Sequence, residues 1–163
     1  DHRDLHSFPT RRSSDLADAV RPYLEAGQDV AMAILGDVSI YSTYCYMMEL
    51  LKAEGFPCVM VPGVPSFCAV AARLGRSLTE PDQPLHIIPG GGPGLGEALD
   101  LPGSKVLMKA GRNHQKLLEE LEARKLLDRA AMVENCGLPE ERPFADLTGK
   151  PDSNGYFTTV IIP

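Results

Sequence analysis

An apolar run at residues 30–35 passes through Gly36-Asp37-Val38-Ser39-Ile40-Tyr41-Ser42-Thr43 into an amphipathic stretch at residues 44–52. A strand feeding a helix through a Gly-Asp turn is the repeating step of α/β proteins, which place ligands beyond the carboxyl ends of their strands. Gly36 lets the backbone come close to a ligand, and Asp37 offers an acceptor at the helix start. The step then repeats. Residues 56–61 form a short apolar strand, Pro62-Gly63 turns it, and Ser66 is placed to cap a helix through Phe67, Val70 and Leu74.

The rest of the chain keeps this alternation. Residues 18–26 end a helix at Gly27, residues 29–35 make the next strand, and residues 41–54 form a helix stopped by Gly55. After a polar, proline-rich stretch at residues 79–84, strands are expected at 85–88, 105–109, 129–134 and 156–162. The clearest helix is 113–125, with Leu117, Leu118, Leu121 and Leu126 on one side. The fold class is therefore α/β in two domains, divided as 17–84 and 85–163, with late hairpins making the second half mixed. Pro89 to Gly96 reads as a surface loop leading to a turn at 97–101.

Residues 1–16 show no apolar periodicity and no core-forming residues. Translated back into codons they resemble a common short-read sequencing adapter from end to end, so they are expected to be a non-native artefact. Their three Arg and three Asp cancel, leaving the remaining chain with the whole net charge of −6.

That acidic balance argues against a general nucleic-acid binder, which needs a basic face. No run approaches the ~20 apolar residues of a membrane span. Cys45, Cys58, Cys68 and Cys136 lack metal-ligand spacing and mostly sit in apolar runs, so buried reduced thiols in a cytoplasmic protein are expected and no metal site is. His86 reads as a half-buried strand residue, and His114 as solvent-facing near a helix start.

In order and with these gaps, the words are specific. Gly36-Asp37 followed by Tyr41-Ser42-Thr43, then Val61-Pro62-Gly63-Val64 with Ser66-Phe67, resembles the tetrapyrrole methylases of cobalamin biosynthesis. Val106-Leu107-Met108-Lys109, Ala131-Met132-Val133-Glu134-Asn135 and Tyr156-Phe157-Thr158-Thr159 extend the resemblance over residues 17–163. Tyr41-Ser42-Thr43 points within the family to the subgroup that methylates C20 of precorrin-2 or cobalt-factor II. The uroporphyrinogen, C11 and C17 enzymes are the neighbouring alternatives.

The resemblance implies S-adenosyl-L-methionine (SAM) as methyl donor, an acidic tetrapyrrole as substrate, a homodimer, and SAM bound in the cleft between two α/β domains. Matched position by position, Leu35, Gly36, Asp37, Ile40, Pro65, Ser66, Met108 and Cys136 fall on SAM contacts, Cys136 through its backbone. Tyr41, Ser42 and Thr43 fall toward substrate or donor. Asp37 is the candidate base for the C20 proton, with helix capping or holding SAM as its alternative role. An acidic chain binding a polycarboxylate needs a local basic cluster. Arg73, Arg76, Lys109 and Arg112 are available for it, with Arg112 singled out. Family members open with a strand and a Gly-x-Gly-Pro-Gly-Asp loop that has no counterpart before Ala17, so the chain as written is expected to be inactive. Val38 and Pro65 also depart from the family pattern, which has proline and serine at these positions.

Overall fold

A computed structural model describes residues 7–153 and 155–163, and the chain divides into two compact units, residues 1–65 and 66–163. The division falls before α3 (Ser66–Leu74) rather than in the proline-rich stretch near residue 84, because α3 packs on strands of the second unit.

The first unit is built on two helices, α1 (Ser7–Glu25) and α2 (Tyr44–Ala53). Ala17, Met47 and Leu51 form its small core, with Leu16, Val20, Leu24, Met32, Tyr44, Phe56 and Cys58 packed around them. Helix α1 therefore runs back into the segment read as aperiodic, where Ser13 is fully buried. Arg21 holds α1 to α2 by pairing with Glu54 at 2.7 and 2.8 Å.

The strands expected at 29–35 and 56–61 are absent. Both segments show strand-like alternation of burial, Phe56 and Cys58 half-buried against exposed Val59 and Val61. A strand exists through its ladder, however, and neither segment has a partner ladder among the described residues. Gly27, Gly55 and Gly75 take positive φ just past the three helix ends, as their positions predict.

The second unit is a five-stranded mixed sheet: β1 (Leu85–Pro89), β2 (Ser104–Met108), β3 (Ala131–Glu134), β4 (Arg142–Phe144) and β5 (Thr158–Ile162), ordered β1-β2-β5-β3-β4. Only β1 and β2 pair in parallel; β5 runs antiparallel to both β2 and β3, and β4 antiparallel to β3. The central strands β2, β3 and β5 are buried almost throughout, which their continuous apolar runs require of strands covered on both faces.

On one face Leu107, Met132, Val160 and Ile162 meet Leu95 and Leu99 of α4 (Leu95–Asp100) and Leu117, Leu118 and Leu121 of α5 (His114–Ala123). The 117/118/121 spacing is the helical stripe read from the sequence. Helix α3 lies against β5 and β3. The two surprises are β4, whose Arg-Pro-Phe carries no strand signal, and α4, a helix in place of the turn expected at 97–101.

Candidate functional site

In the first unit the two motif turns meet through one carboxylate. Asp37 Oδ1 accepts from the Ser39 N–H at 2.8 Å and from the Ser39 hydroxyl, while Oδ2 accepts from the Gly63 N–H at 2.8 Å. The Ser39 bonds make an Asx turn after residues 29–35. The Gly63 bond spans 26 residues and joins the Gly-Asp turn to the Pro-Gly turn. Their backbones approach so closely that a Cβ on Gly63 would fall within 3.0 Å of the Gly36 carbonyl oxygen. Leu35, 70% exposed, stands beside this junction as uncovered apolar surface.

The remaining residues of this turn line up toward α2. The Ile40 N–H bonds back to the Asp37 carbonyl at 3.3 Å, and Ser42 Oγ accepts from the Tyr44 N–H at 3.1 Å. Ser42 thus caps the helix start, and Thr43, in the N-cap position, makes no side-chain cap bond. Tyr41 is exposed and takes a left-handed φ of 52°. Helix α2 consequently begins at Tyr44, not at residue 41.

Asp37 is held below the usual carboxylate range, first by the Ser39 hydroxyl, then by the Ser39 and Gly63 N–H donors. A carboxylate whose folded pKa is depressed contributes stability that is present above its unfolded pKa, about 3.9, and lost as pH falls through the folded value. Asp37→Asn is therefore expected to lower the melting temperature at pH 7, with the difference from the parent shrinking as the pH is taken below 3.9. Equal differences at pH 7 and pH 2 in paired melts would show that the charge is not what holds the turns.

In the second unit, the strand directions bring the carboxyl ends of β1, β2 and β3 and the amino ends of β4 and β5 to one edge of the sheet. Met108 ends β2 and Cys136 follows β3 by two residues, so both expected contacts sit on this edge, each half-buried. Lys109 and Asn135, just past the two strands, take left-handed φ of 57° and 54°. Such non-glycine geometry costs roughly 1–2 kcal/mol per residue and concentrates at functional sites.

The glycine loop after β1 reaches the same edge: the Gly90 N–H donates to the Met108 carbonyl at 2.7 Å, and Asn113 Nδ2 donates to the Gly91 carbonyl at 2.9 Å. By composition alone this loop reads as surface. The signal that could have found it is that β1 and β2 are consecutive strands, which places the loop after β1 beside the end of β2.

Burial, with Glu141 next in effect, pushes the Cys136 thiol up, which suits a packing role and not a nucleophile. Arg73 is committed to Glu141 and is no free cation for a ligand. The side chain of Arg112 lies outside the described residues. His114 is buried, contrary to its expected exposure: Nε2 bonds to the Pro151 carbonyl at 2.7 Å, and Nδ1 has no partner among the described residues. His86 is half-buried, with Nε2 2.9 Å from the Pro102 carbonyl. All four cysteines are free and half-buried rather than fully buried.

Pro65 ends the first unit and Ser66 opens α3 in the second, each half-buried. A polar cavity of about 320 Å³ opens at the opposite edge of the sheet, by Ser104 and Lys105 at the start of β2, away from every expected site residue. Among the described residues no helix is long and apolar enough to cross a membrane, and no three His, Cys, Asp or Glu are grouped to hold a metal.

The family profile described as Tetrapyrrole (Corrin/Porphyrin) Methylases matches residues 3–151. The chain is 33% identical over 150 residues to a precorrin-2 C(20)-methyltransferase of Sinorhizobium sp, covering 90% of this chain and 60% of that protein. It is 30% identical over 153 residues to the cobalt-precorrin-2 C(20)-methyltransferase of Salmonella typhimurium, covering 91% of this chain and 64% of that one. Against the cobalamin biosynthesis protein CobIJ of Mycobacterium bovis it spans 30% of the relative's length at 33% identity, using 92% of its own. Among solved structures, a uroporphyrin-III C-methyl transferase from Thermus thermophilus, complexed with S-adenosyl homocysteine, superposes with a TM-score of 0.69 at 20% identity. That match covers 91% of this chain and 72% of the other, and it speaks to the fold.

Proposed function

The chain belongs to the tetrapyrrole (corrin/porphyrin) methylase family, and from that premise we propose that it serves SAM-dependent methylation of precorrin-2 or cobalt-factor II at C20 in cobalamin biosynthesis. The observation that carries this reading is the Asp37 bridge. Two motifs 26 residues apart, both matched to SAM contacts, are tied by a carboxylate–amide bond into one surface of bare backbone. Similarity over nine-tenths of the chain to relatives named as C20 enzymes supports the position methylated.

The residues present fit a nucleoside methyl donor. Gly63 has no side chain where the Gly36 carbonyl comes in, so the two turns meet backbone to backbone, and exposed Leu35 offers apolar cover beside them. Ile40 extends the same turn; Pro65 and, in the second unit, Ser66, Met108 and the backbone at Cys136 keep the assignment that the resemblance gives them. When bound, SAM supplies a sulfonium methyl poised for in-line displacement. The chain's task is then to hold and orient two ligands and to keep water out.

Asp37 holds the turn in this assignment. Three donors occupy its carboxylate and lower its basicity, which makes it a poor acceptor for the C20 proton and favours its role as scaffold. Tyr41, Ser42 and Thr43 follow it and keep their assignment toward substrate or donor, with Tyr41 exposed and Ser42 engaged in capping. The homodimer implied by the resemblance and the cytoplasmic setting read from the cysteines belong to the same reading.

The test is direct. A protein that carries residues 17–163 behind the family's opening strand and Gly-x-Gly-Pro-Gly-Asp loop is expected to bind S-adenosylhomocysteine with a saturable calorimetric signal. Supplied with SAM carrying an isotope-labelled methyl, it is expected to place one label at C20 of precorrin-2 or cobalt-factor II. Label at C11 or C17 would reassign the position within the family, and absence of both binding and transfer would remove the activity.

A further inference from the structure

A lysine is rarely buried unless a carboxylate is buried with it, and Lys105 departs from that rule. It is 9% exposed at the start of β2, and no carboxylate pairs with it among the described residues. The ammonium donates to the Gly103 carbonyl at 2.6 Å. Asp100, whose charge reaches Lys105, is already bonded to Arg124 at 2.7 and 3.1 Å. Burial, and after it the charge of Arg129, pushes the Lys105 ammonium below its ordinary value. A buried cation facing a second cation is unfavourable until something negative comes between them.

Both cations line the polar cavity of about 320 Å³ at the amino ends of β2 and β3. Pro163 apart, every side chain lining it is polar or charged, so an apolar ligand has nothing to lie against. Ser104, 4% exposed, lines it too. Its N–H donates to the Pro84 carbonyl at 2.9 Å, while its hydroxyl has no partner among the described residues. Arg129 gives one donor to the Pro163 carbonyl and makes no ion pair among the described residues, which leaves the rest of its fork for a ligand.

Close backbone approach builds this wall. Gly103, at φ 93°, passes so near Pro84 that a Cβ there would overlap its carbonyl and ring. The loop at residues 77–83 supplies the facing side and is folded by its own bonds. Ser77 Oγ donates to the Thr79 carbonyl at 2.8 Å, and Thr79 Oγ1 to the Gln83 carbonyl at 3.1 Å. Glu80, exposed on this loop, is the one carboxylate among the lining residues, so the cations outnumber it.

We propose that this cavity binds a tetrahedral oxyanion, either free phosphate or the phosphoryl group of a small ester, held by the Lys105 ammonium, the Arg129 guanidinium and the Ser104 hydroxyl. Lysine serves phosphate as a compact point charge and arginine as a fork, and a hydroxyl meets a third oxygen. A planar carboxylate has only two oxygens and leaves one of these donors idle. The site lies at the opposite edge of the sheet from Met108 and Cys136, so the inference does not rest on the methylase reading.

The probes are inorganic phosphate, glycerol 3-phosphate and acetate, each titrated by calorimetry into the full chain at constant ionic strength. Phosphate is expected to saturate with a Kd of about 1 mM or tighter, and acetate to bind at least about tenfold more weakly. Glycerol 3-phosphate binding tighter than phosphate assigns the esterified form; the reverse order assigns the free ion, and either supports the site. Lys105→Met and Arg129→Gln each weaken phosphate binding at least about tenfold, as loss of a charge-assisted bond implies. Lys116→Gln removes the same charge from an exposed position and leaves the affinity within about twofold.

Melting separates binding from folding. Without phosphate, Lys105→Met melts at or above the parent temperature, because it removes a buried charge that lacks a counter-ion. Saturating phosphate then raises the melting temperature of the parent and not of this variant. The inference is overturned by acetate binding as tightly as phosphate, by no saturable phosphate signal, or by parental phosphate affinity in both Lys105→Met and Arg129→Gln. A Lys105→Met chain that melts well below the parent, or does not fold, assigns the ammonium to the fold and overturns it too.

Discussion

Gly63→Ala is expected to abolish S-adenosylhomocysteine binding in practice, weakening it roughly 100-fold, the ratio for an overpacking cost near the top of the usual range of about 1–3 kcal/mol. The added methyl would fall within 3.0 Å of the Gly36 carbonyl oxygen and close to the Asp37 Cα. Both are backbone atoms, so no side chain can swing aside to absorb the overlap. Relief requires the two turns to part, and parting breaks the 2.8 Å bond from the Gly63 N–H to Asp37. The surface assigned to the donor is then lost as a unit. Gly149→Ala is the matched control, since a Cβ there meets nothing within 4 Å and its affinity should be unchanged. Calorimetry that finds Gly63→Ala and Gly149→Ala equal would show that the junction of the two turns takes no part in binding.

Leu117→Ala is expected to remove about 3 kcal/mol of stability, within the range for a fully buried leucine truncated to alanine. Leu117 is wholly buried in the core shared by α4, α5 and one face of the sheet. Its neighbours there, Leu107, Met132 and Val160, come from the three central strands and are fixed by their ladders, so they cannot collapse into the gap. The thermal midpoint of the second unit should fall by roughly 10–20 °C. Leu117→Met, which conserves volume, should cost less than about 1.5 kcal/mol. A Leu117→Ala midpoint within a degree or two of the parent would mean this helix does not cover the sheet as described.

The second unit was largely legible in the sequence. Strands expected at 85–88, 105–109, 129–134 and 156–162 appear within a residue or two, and the 113–125 helix appears as α5 behind a short 3-10 turn at Ala110–Asn113. These segments have apolar runs or a helical stripe long enough to dominate. The first unit was less legible, for a different reason. Residues 29–35 and 56–61 have strand composition and strand-like alternation, yet a ladder needs a partner that composition cannot supply. The domain boundary moved for a related cause. Pro81 and Pro84 mark a loop, but a loop separates domains only where packing stops, and α3 packs across it onto β5 and β3.

Of the proposed site, the residue types were readable and their arrangement was not. Asp37 was visible as a turn acceptor, but its bond to Gly63 joins residues whose contact no local pattern encodes. His114 followed a helix-start pattern that favours exposure, and the distant Pro151 carbonyl buried it. The glycine loop at 90–94 reads as surface from its composition, and its place beside the end of β2 was decided by the pairing of β1 with β2.

By itself, the order of residues determined the α/β class, the helix stops, the apolar stripes and the family, because each is written in short-range spacing or local motif. Only the tertiary structure decided which turns meet, which carboxylates are spent on holding them, and which side chains reach one edge. Those depend on strand pairing and close backbone approach between residues distant in the chain, Lys105 with Ile162 and Gly36 with Gly63 among them, and such contacts follow from packing the whole unit and not from any segment of it.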